Sequence, residues 1–200
     1  MTTVNVTYHE KAGVQNTEAT LEAVKQRASV LGIKQLVTAT TTGQMALTCA
    51  ETFPEMETIV GVMMHAVDQE IFVQRPEGKI RAPHPDIVDK ARAKGVKIYR
   101  GTHSLMGALS SALQQKFGGW SSEALVSAAY MSISTGTKVA VESVLMAADA
   151  GYLEMQSDVI AMGGWRGGVD TAVVIKPAYS HSFFDLRIRE FIAMPRDGGA

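Results

Sequence analysis

Residues 157–176, SDVIAMGGWRGGVDTAVVIK, constrain the fold more than any other part of the chain. Two apolar segments, at 158–162 and 171–176, have the length and the β-branched content of buried strands. A glycine-dense loop joins them and is longer than the two-residue turn that a tight hairpin needs. The stretch therefore predicts an antiparallel hairpin whose loop is available for binding.

The composition of this loop favours an anion-binding site. Glycines let the backbone adopt positive φ and bring its N–H groups close to a ligand. A guanidinium offers a planar fork for phosphate or carboxylate, and an indole beside it can cover a flat or sugar-like group. The alternative is a long turn in which the glycines are needed only for the backbone conformation and bind no ligand. The candidate residues are Gly163, Gly164, Trp165, Arg166, Gly167, Gly168, Asp170 and Thr171.

Strand and helix patterns alternate through the first half of the chain, which indicates βαβ units and a mainly parallel sheet. With the hairpin, they predict an α/β fold, a three-layer α/β/α sandwich with a mainly parallel mixed sheet, in a single domain spanning residues 1–200. A proline-containing stretch at 65–85 is interpreted as a long loop or lid. The predicted strands are 4–8, 36–39, 58–64, 97–100, 158–162, 171–176 and 189–194, and the predicted helices are 17–31, 44–52, 86–94, 105–117, 122–133 and 139–150.

Composition narrows the classes of function. The chain has 200 residues, 46% hydrophobic and 20% charged, which is typical of a globular protein. A net charge of −1 argues against nucleic acid or an anionic membrane as the partner. The single cysteine, Cys49, suits a reducing compartment and is interpreted as a packed thiol. No signal peptide or membrane span is evident, so a cytoplasmic protein is predicted. Apolar helix faces are compatible with a homo-oligomer.

The polar residues that follow the predicted strands suggest where a ligand binds. In open α/β sheets, ligands bind outside the carboxyl ends of the parallel strands. Hydroxyls before a helix N-terminus suit a phosphate, although any one threonine is better explained as a helix cap. No P-loop or dinucleotide-binding motif is present, so nucleotide hydrolysis and a standard dinucleotide fold are disfavoured. The candidates at this edge are Asn16, Thr17, Thr40, Thr41, Thr42, Gly43, His65, His103 and Ser104, together with the glycine-dense loop.

A carboxylate on the predicted helix at 139–150 is a further candidate. This helix is apolar on nearly every side, which predicts burial. Glu142 and Asp149 lie on one face of it, and buried carboxylates need partners. Structural tethering is favoured over a catalytic pair, and Glu142 is retained as a site residue. His65 and His103 are candidates for a base or a hydrogen-bond donor. No convincing metal-ligand spacing and no G-x-S-x-G elbow occur.

Several segments together resemble a family of small stand-alone proteins similar to the C-terminal α/β domain of pyruvate kinase. The resemblance covers nearly the whole chain. It rests on Asn16-Thr17-Glu18, Thr41-Thr42-Gly43, Val141-Glu142, Met146-Ala147-Ala148-Asp149-Ala150-Gly151, Asp170-Thr171-Ala172-Val173-Val174-Ile175, Phe183-Phe184-Asp185 and Met194-Pro195-Arg196.

The resemblance implies a ligand as well as a fold. In pyruvate kinase, a Ser/Thr-rich loop and a Gly-Trp-Arg loop hold the phosphates of a sugar-bisphosphate effector, and residues 40–42 and 164–166 look like these loops. Gln44 stands where that family often has arginine, which weakens a bisphosphate interpretation, and the catalytic barrel has no counterpart here. The stand-alone family is instead linked with flavin mononucleotide (FMN). Three functions stay open: an FMN-binding protein, a flavin-dependent oxidoreductase, and a regulatory module that senses a sugar phosphate.

Overall fold

The computed structural model describes residues 3–64 and 83–199. Seven strands and six α-helices lie within these two ranges. The strands are β1 (Thr7–Lys11), β2 (Gln35–Ala39), β3 (Thr58–Met64), β4 (Lys97–Gly101), β5 (Val159–Gly163), β6 (Thr171–Lys176) and β7 (Arg187–Asp197). The helices are α1 (Thr17–Leu31), α2 (Gln44–Thr52), α3 (Pro85–Ala93), α4 (Leu109–Phe117), α5 (Ser122–Met131) and α6 (Thr135–Asp149).

The strands form one mixed sheet in the order β1-β7-β6-β5-β2-β3-β4. Strands β5, β2, β3 and β4 are mutually parallel, and β1 is parallel to β7. Strand β6 is antiparallel to both of its neighbours, β5 and β7. The other six strands therefore point the same way, and their carboxyl ends meet at one edge of the sheet.

Helices cover both faces of this sheet, because alternate residues of each strand point to opposite sides. On one face, Val37 of β2 and Ala161 of β5 pack against α6. On the other, Leu36 of β2 and Ile160 of β5 pack with apolar residues of α1 and α2. Cys49 belongs to this second core, where burial raises the pKa of its thiol to about 12. The predicted mainly parallel α/β fold, with its antiparallel C-terminal hairpin, is confirmed.

The predicted boundaries are wrong at several elements. Strand β1 begins at Thr7 rather than at residue 4, because its register pairs Thr7 with Ala193 of β7. Helix α6 begins four residues earlier than predicted, since the Ser134 hydroxyl accepts the Thr137 N–H at 2.9 Å and caps it. Helix α4 begins later than residue 105, since the N–H groups of Leu105 and Met106 bind a side chain instead.

Two other interpretations also change. Asp149 is exposed rather than buried, although its carboxylate accepts the Ser180 N–H at 2.9 Å and so acts as a tether of the predicted kind. The predicted loop at 65–85 is wrong at its end, where Pro85 is the first residue of α3, a position that suits proline because it needs no N–H donor. The remainder of that prediction, at 65–82, lies outside the described residues.

Candidate functional site

The threonine loop (residues 40–43) and the glycine-dense loop (residues 163–171) lie side by side. They follow β2 and β5, which are neighbouring parallel strands, with Thr38 of β2 paired to Met162 of β5. Both loops therefore leave the carboxyl edge of the sheet at adjacent positions, about 5 Å apart by ordinary strand spacing. This juxtaposition is the geometry that a ligand spanning both loops requires.

Asp170 organises the glycine-dense loop from within. Its carboxylate accepts the N–H groups of Gly13 at 2.9 Å and Trp165 at 3.1 Å, and the Thr171 hydroxyl at 2.9 Å. Burial raises the pKa of Asp170, and these three hydrogen bonds act in the opposite direction. Asp170 and Thr171 are both fully buried. Asp170 holds the loop against the segment after β1, and the Thr171 hydroxyl, 3.0 Å from the Ser134 hydroxyl, holds its end against the start of α6.

Arg166 occupies the strained position of the loop. Its φ is 57°, and within 3–64 and 83–199 no other non-glycine residue has a positive φ. Its guanidinium carbon lies 5.1 Å from the centre of the Trp165 ring, a cation–π contact. Left-handed backbone at a non-glycine residue costs roughly 1–2 kcal/mol, and such strain collects at functional sites. Arg166 is thus an exposed residue at the carboxyl edge whose guanidinium lies over the Trp165 indole.

The four glycines of this loop have two different functions. Gly167 and Gly168 adopt φ of 108° and 68°, which side chains rarely adopt. Gly163 and Gly164 are not at positive φ and are needed for close packing instead. A Cβ at Gly163 would lie 2.3 Å from the Gly136 carbonyl oxygen of α6. A Cβ at Gly164 would lie 2.7 Å from the Gly168 carbonyl oxygen.

The threonine loop is ordered by its own hydroxyls. The buried Thr40 hydroxyl accepts the Gly43 N–H at 3.1 Å, and the Thr42 hydroxyl accepts the Gln44 N–H at 3.3 Å. A hydroxyl that accepts a hydrogen bond still has its own proton to donate. Thr41 is half-buried, and Gly43, with φ of 95°, precedes the first residue of α2. Gly43, and not a threonine, is the residue before α2, so the predicted threonine cap is wrong. The Thr40 and Thr42 hydroxyls stabilise the turn that leads into the helix and keep protons that can be donated to an anion.

Asn16 and Thr17 lie next to the glycine-dense loop, but neither side chain caps α1. The Asn16 amide donates to the Lys11 carbonyl at 2.7 Å. The Thr17 hydroxyl donates to the Val14 carbonyl at 2.7 Å and accepts the Val169 N–H at 3.2 Å. Asn16 thus lies immediately before α1 without a capping bond from its side chain, and Thr17 fixes the glycine-dense loop.

Glu142 is fully buried and surrounded by donors. One carboxylate oxygen accepts from Lys138 Nζ at 2.5 Å and contacts His103 Nδ1 at 2.8 Å. The other accepts the N–H groups of Leu105 at 2.7 Å and Met106 at 3.3 Å. Burial alone raises the pKa of Glu142, but the His103 hydrogen bond and the Lys138 charge outweigh it and lower the pKa to about 2. Glu142 is therefore an anion in the folded protein.

The structure brings most of the predicted residues to one edge and adds others. His103 and the half-buried Ser104 follow β4, two strands from β2 in the sheet. His65 lies outside the described residues. The sequence interpretation missed Ser134 and Lys138, because it placed the start of α6 at residue 139. The run Ser134-Thr135-Gly136-Thr137 carried the missing signal, since serine is a preferred residue immediately before a helix.

A cavity of about 500 Å³ opens at the opposite edge of the sheet, where the strands begin. Lys34, Gln35, Thr58 and Asp158 are among its lining residues, and none of the predicted site residues is. Gln35 uses its amide to bind the Glu154, Ser157 and Asp158 backbone, and Asp158 pairs with Arg189 at 2.9 Å. Gln35 and Asp158 thus stabilise the fold at this cavity, and the site residues predicted from the sequence do not line it.

Comparison with known families agrees with the architecture. The family model described as pyruvate kinase, alpha/beta domain, matches residues 18–175. The matched range contains the threonine loop, His103, Glu142 and the whole glycine-dense loop. Within residues 3–64 and 83–199, no helix combines the length and apolar character needed to cross a lipid bilayer.

Proposed function

Because this chain belongs to the pyruvate kinase alpha/beta domain family, we propose that it binds a phosphate-bearing small molecule at the carboxyl edge of its sheet. We further propose that this ligand is FMN, held by the threonine loop (residues 40–43) and the glycine-dense loop (residues 163–171).

The observation that carries the proposal is the adjacency of these two loops at the ends of β2 and β5. One loop supplies hydroxyls and the start of a nine-residue helix, α2, and the other supplies an arginine held in a strained conformation. A phosphate dianion between them would receive hydroxyl protons, backbone N–H groups and a guanidinium, which together form a strong anion site.

FMN fits the chemistry of this edge beyond its phosphate. Polar side chains at this edge lie in the glycine-dense loop between β5 and β6, in the threonine loop after β2, and at His103 after β4, two strands from β2. Neighbouring strands are about 5 Å apart, so this edge offers an extended row of donors and acceptors. A ligand with a phosphate at one end and a polar flat ring at the other matches that row.

Ligand titration tests the proposal. Purified protein is titrated into FMN while flavin fluorescence is followed, with riboflavin as the matched ligand that has the same ring and no phosphate. We expect saturable quenching with FMN at micromolar concentration and much weaker binding of riboflavin. No response to FMN, or equal affinity for the two flavins, would contradict the proposal.

Two further measurements separate the other functions considered above. A thermal shift with fructose bisphosphate but not with FMN would replace the proposal by a sugar-phosphate-sensing module, since binding to the native state raises apparent stability. Bleaching of bound FMN by a reduced nicotinamide, followed by reoxidation by a second substrate, would extend the proposal to a flavin-dependent oxidoreductase.

Arg166→Ala is expected to weaken FMN binding by about 1.5–3 kcal/mol, the range for a hydrogen bond to a charged group. Thr42→Ala should cost less, about 1 kcal/mol, because the backbone N–H groups of the loop remain. Dissociation constants from the fluorescence titration measure both effects. Arg92→Ala is the matched control, since it removes the same charge from an exposed position near the end of α3. Equal affinities for Arg166→Ala and Arg92→Ala would refute the function assigned to Arg166.

A further inference from the structure

His103, Glu142 and Lys138 form a polar cluster that phosphate binding does not explain. The His103 side chain is 32% exposed, whereas the side chains of Lys138 and Glu142 are 4% and 0% exposed. The cluster thus has two buried members and one that reaches solvent. His103 follows β4 at the same edge of the sheet as the two loops.

The hydrogen bond between His103 and Glu142 determines which ring nitrogen carries the proton. Glu142 is an anion and has no proton to donate, so the 2.8 Å contact requires that His103 Nδ1–H donates to Glu142 Oε2. In a neutral imidazole with a protonated Nδ1, the lone pair is on Nε2. The cluster therefore holds a half-exposed imidazole in one tautomer, with its proton-accepting nitrogen directed away from the buried carboxylate.

Helix α6 connects this imidazole to the glycine-dense loop. A Cβ at Gly136 would lie 2.2 Å from the Thr171 hydroxyl, so the first turn of α6 packs tightly on the end of that loop. Lys138 lies in this first turn and Glu142 one turn later, and Glu142 binds His103 and the two N–H groups beyond it. One buried helix thus fixes the position of His103 relative to the glycine-dense loop.

We propose that His103 is a general acid–base residue of this edge and that Glu142 is its positioning residue. His103 Nε2 accepts a proton from an O–H or N–H group of a bound ligand, and the bond to that proton in the ligand breaks as the new N–H bond forms. The resulting imidazolium keeps its Nδ1–H bond to the Glu142 carboxylate, which stabilises the new charge. The proton returns to the ligand or to water in the reverse step.

The tautomer is the first test and needs no variant. Nitrogen-15 NMR of protein labelled at histidine distinguishes a protonated from an unprotonated ring nitrogen at each site. We expect neutral His103 to carry its proton on Nδ1. The opposite tautomer would show that Lys138 Nζ, 3.5 Å from Nδ1, donates to His103 instead, and it would overturn the proposal.

Chemical modification measures the reactivity of Nε2. The Nε2 lone pair attacks a carbonyl carbon of diethyl pyrocarbonate, an N–C bond forms, and the bond from that carbon to the bridging oxygen breaks. The ethyl carbonate that leaves takes up the proton that the ring loses from Nδ1 and decomposes to ethanol and carbon dioxide. Mass spectrometry gives the rate at His103 and, as an internal reference, at the exposed His181. Since the Glu142 carboxylate holds the tautomer whose lone pair is on Nε2, and a glutamine amide can also stabilise the opposite tautomer, we expect Glu142→Gln to slow modification of His103 about threefold and to leave His181 unchanged. Equal slowing at both sites, or none at His103, would contradict the function of Glu142.

Two substitutions at His103 separate positioning from proton transfer. His103→Asn places an amide N–H near the position of Nδ1 and removes Nε2, so it keeps the hydrogen bond to Glu142. His103→Ala removes both nitrogens. We expect the asparagine variant to retain most of the thermal stability that the alanine variant loses. If Glu142→Gln does not fold, the tautomer of the unmodified protein still decides the proposal.

The contact between His103 and a ligand rests on the proposed function, and an FMN footprint tests it. With FMN at saturation, we expect modification of His103 to slow about fivefold or more, as for a nitrogen that the ligand covers, while His181 reacts as before. FMN that binds but leaves His103 fully reactive would overturn the position of His103 in the site and leave the proposed function intact. Absence of FMN binding would overturn the proposed function, and the tautomer would still decide whether His103 is a proton acceptor.

Discussion

Glu142→Ala is expected to lower the free energy of unfolding by about 3–5 kcal/mol, the range for removal of one partner from a buried ion pair. The substitution leaves Lys138, which is 4% exposed, without its counter-charge. It also leaves the N–H groups of Leu105 and Met106 without an acceptor. Urea denaturation at pH 7, followed by circular dichroism, measures the loss.

A double variant is the control for this effect. Replacing both members of a buried ion pair by apolar residues of similar size is often neutral or stabilising. Lys138→Met combined with Glu142→Leu should therefore be more stable than Glu142→Ala, although the two N–H groups still lack an acceptor. A double variant no more stable than Glu142→Ala would show that those N–H groups, and not the unpaired lysine, dominate the cost.

Glu142 also makes the free energy of unfolding depend on pH in the acid range. The pKa of Glu142 is lowered from the ordinary 4.5 to about 2. The stability that its ionised carboxylate gives to the folded protein is therefore fully present above pH 4.5 and is lost as the pH falls toward 2. A lowering of this size corresponds to about 3 kcal/mol of stability in the neutral range. Urea denaturation between pH 5 and pH 2.5 should show a shallower decline for Glu142→Gln than for the unmodified protein. Parallel curves of unfolding free energy against pH for the two proteins would contradict the lowered pKa of Glu142.

Gly163→Ala is expected to destabilise the protein by about 3 kcal/mol, the upper part of the usual range for overpacking a core. The new Cβ would lie 2.3 Å from the Gly136 carbonyl oxygen and 2.9 Å from the Ala140 nitrogen. Both atoms belong to the backbone of α6, so no side-chain rotation relieves the contact. The whole helix has to move, and with it the first turn that packs on the glycine-dense loop.

Gly32→Ala is the matched control for Gly163→Ala. Gly32 has φ of 66°, and no atom lies within 4 Å of the position that an added methyl group would take, so its substitution strains the backbone without a collision. That strain costs roughly 1–2 kcal/mol. Thermal melting should show a larger loss for Gly163→Ala, accompanied by weaker FMN binding. Equal losses would mean that α6 adapts to the added methyl group.

The hairpin and the parallel strands were predictable because their signals are local. A run such as Thr171–Lys176 is apolar, rich in β-branched residues and bounded by a glycine-dense loop, so its burial and its ends follow from its own composition. The start of α6 was not predictable, because the local signal there is weak. The segment 135–138 contains threonines and a glycine, which are weak helix formers. The glycine is explained by a tertiary contact, the close packing of Gly136 against Thr171.

The sequence likewise predicts where the candidate site lies but not what each of its residues does. The convergence of the threonine loop and the glycine-dense loop follows from the rule that parallel strands end at one edge. The functions of single residues do not follow from it. Asp170 is a buried tether because it accepts an N–H from Gly13, 157 positions away. Thr17 binds Val169 across a similar separation.

The sequence by itself determined the fold class, the antiparallel hairpin and the edge at which the polar loops gather, since each depends on patterns within a few neighbouring residues. Only the tertiary structure decided that Glu142 binds Lys138 and His103, that Arg166 rests on Trp165 in a left-handed conformation, and that Gly163 is needed for the approach of α6. These features depend on atoms brought together from distant segments or on the backbone angles of one loop. Local composition carries no information about such distances, because the same residues in another packing would have other partners.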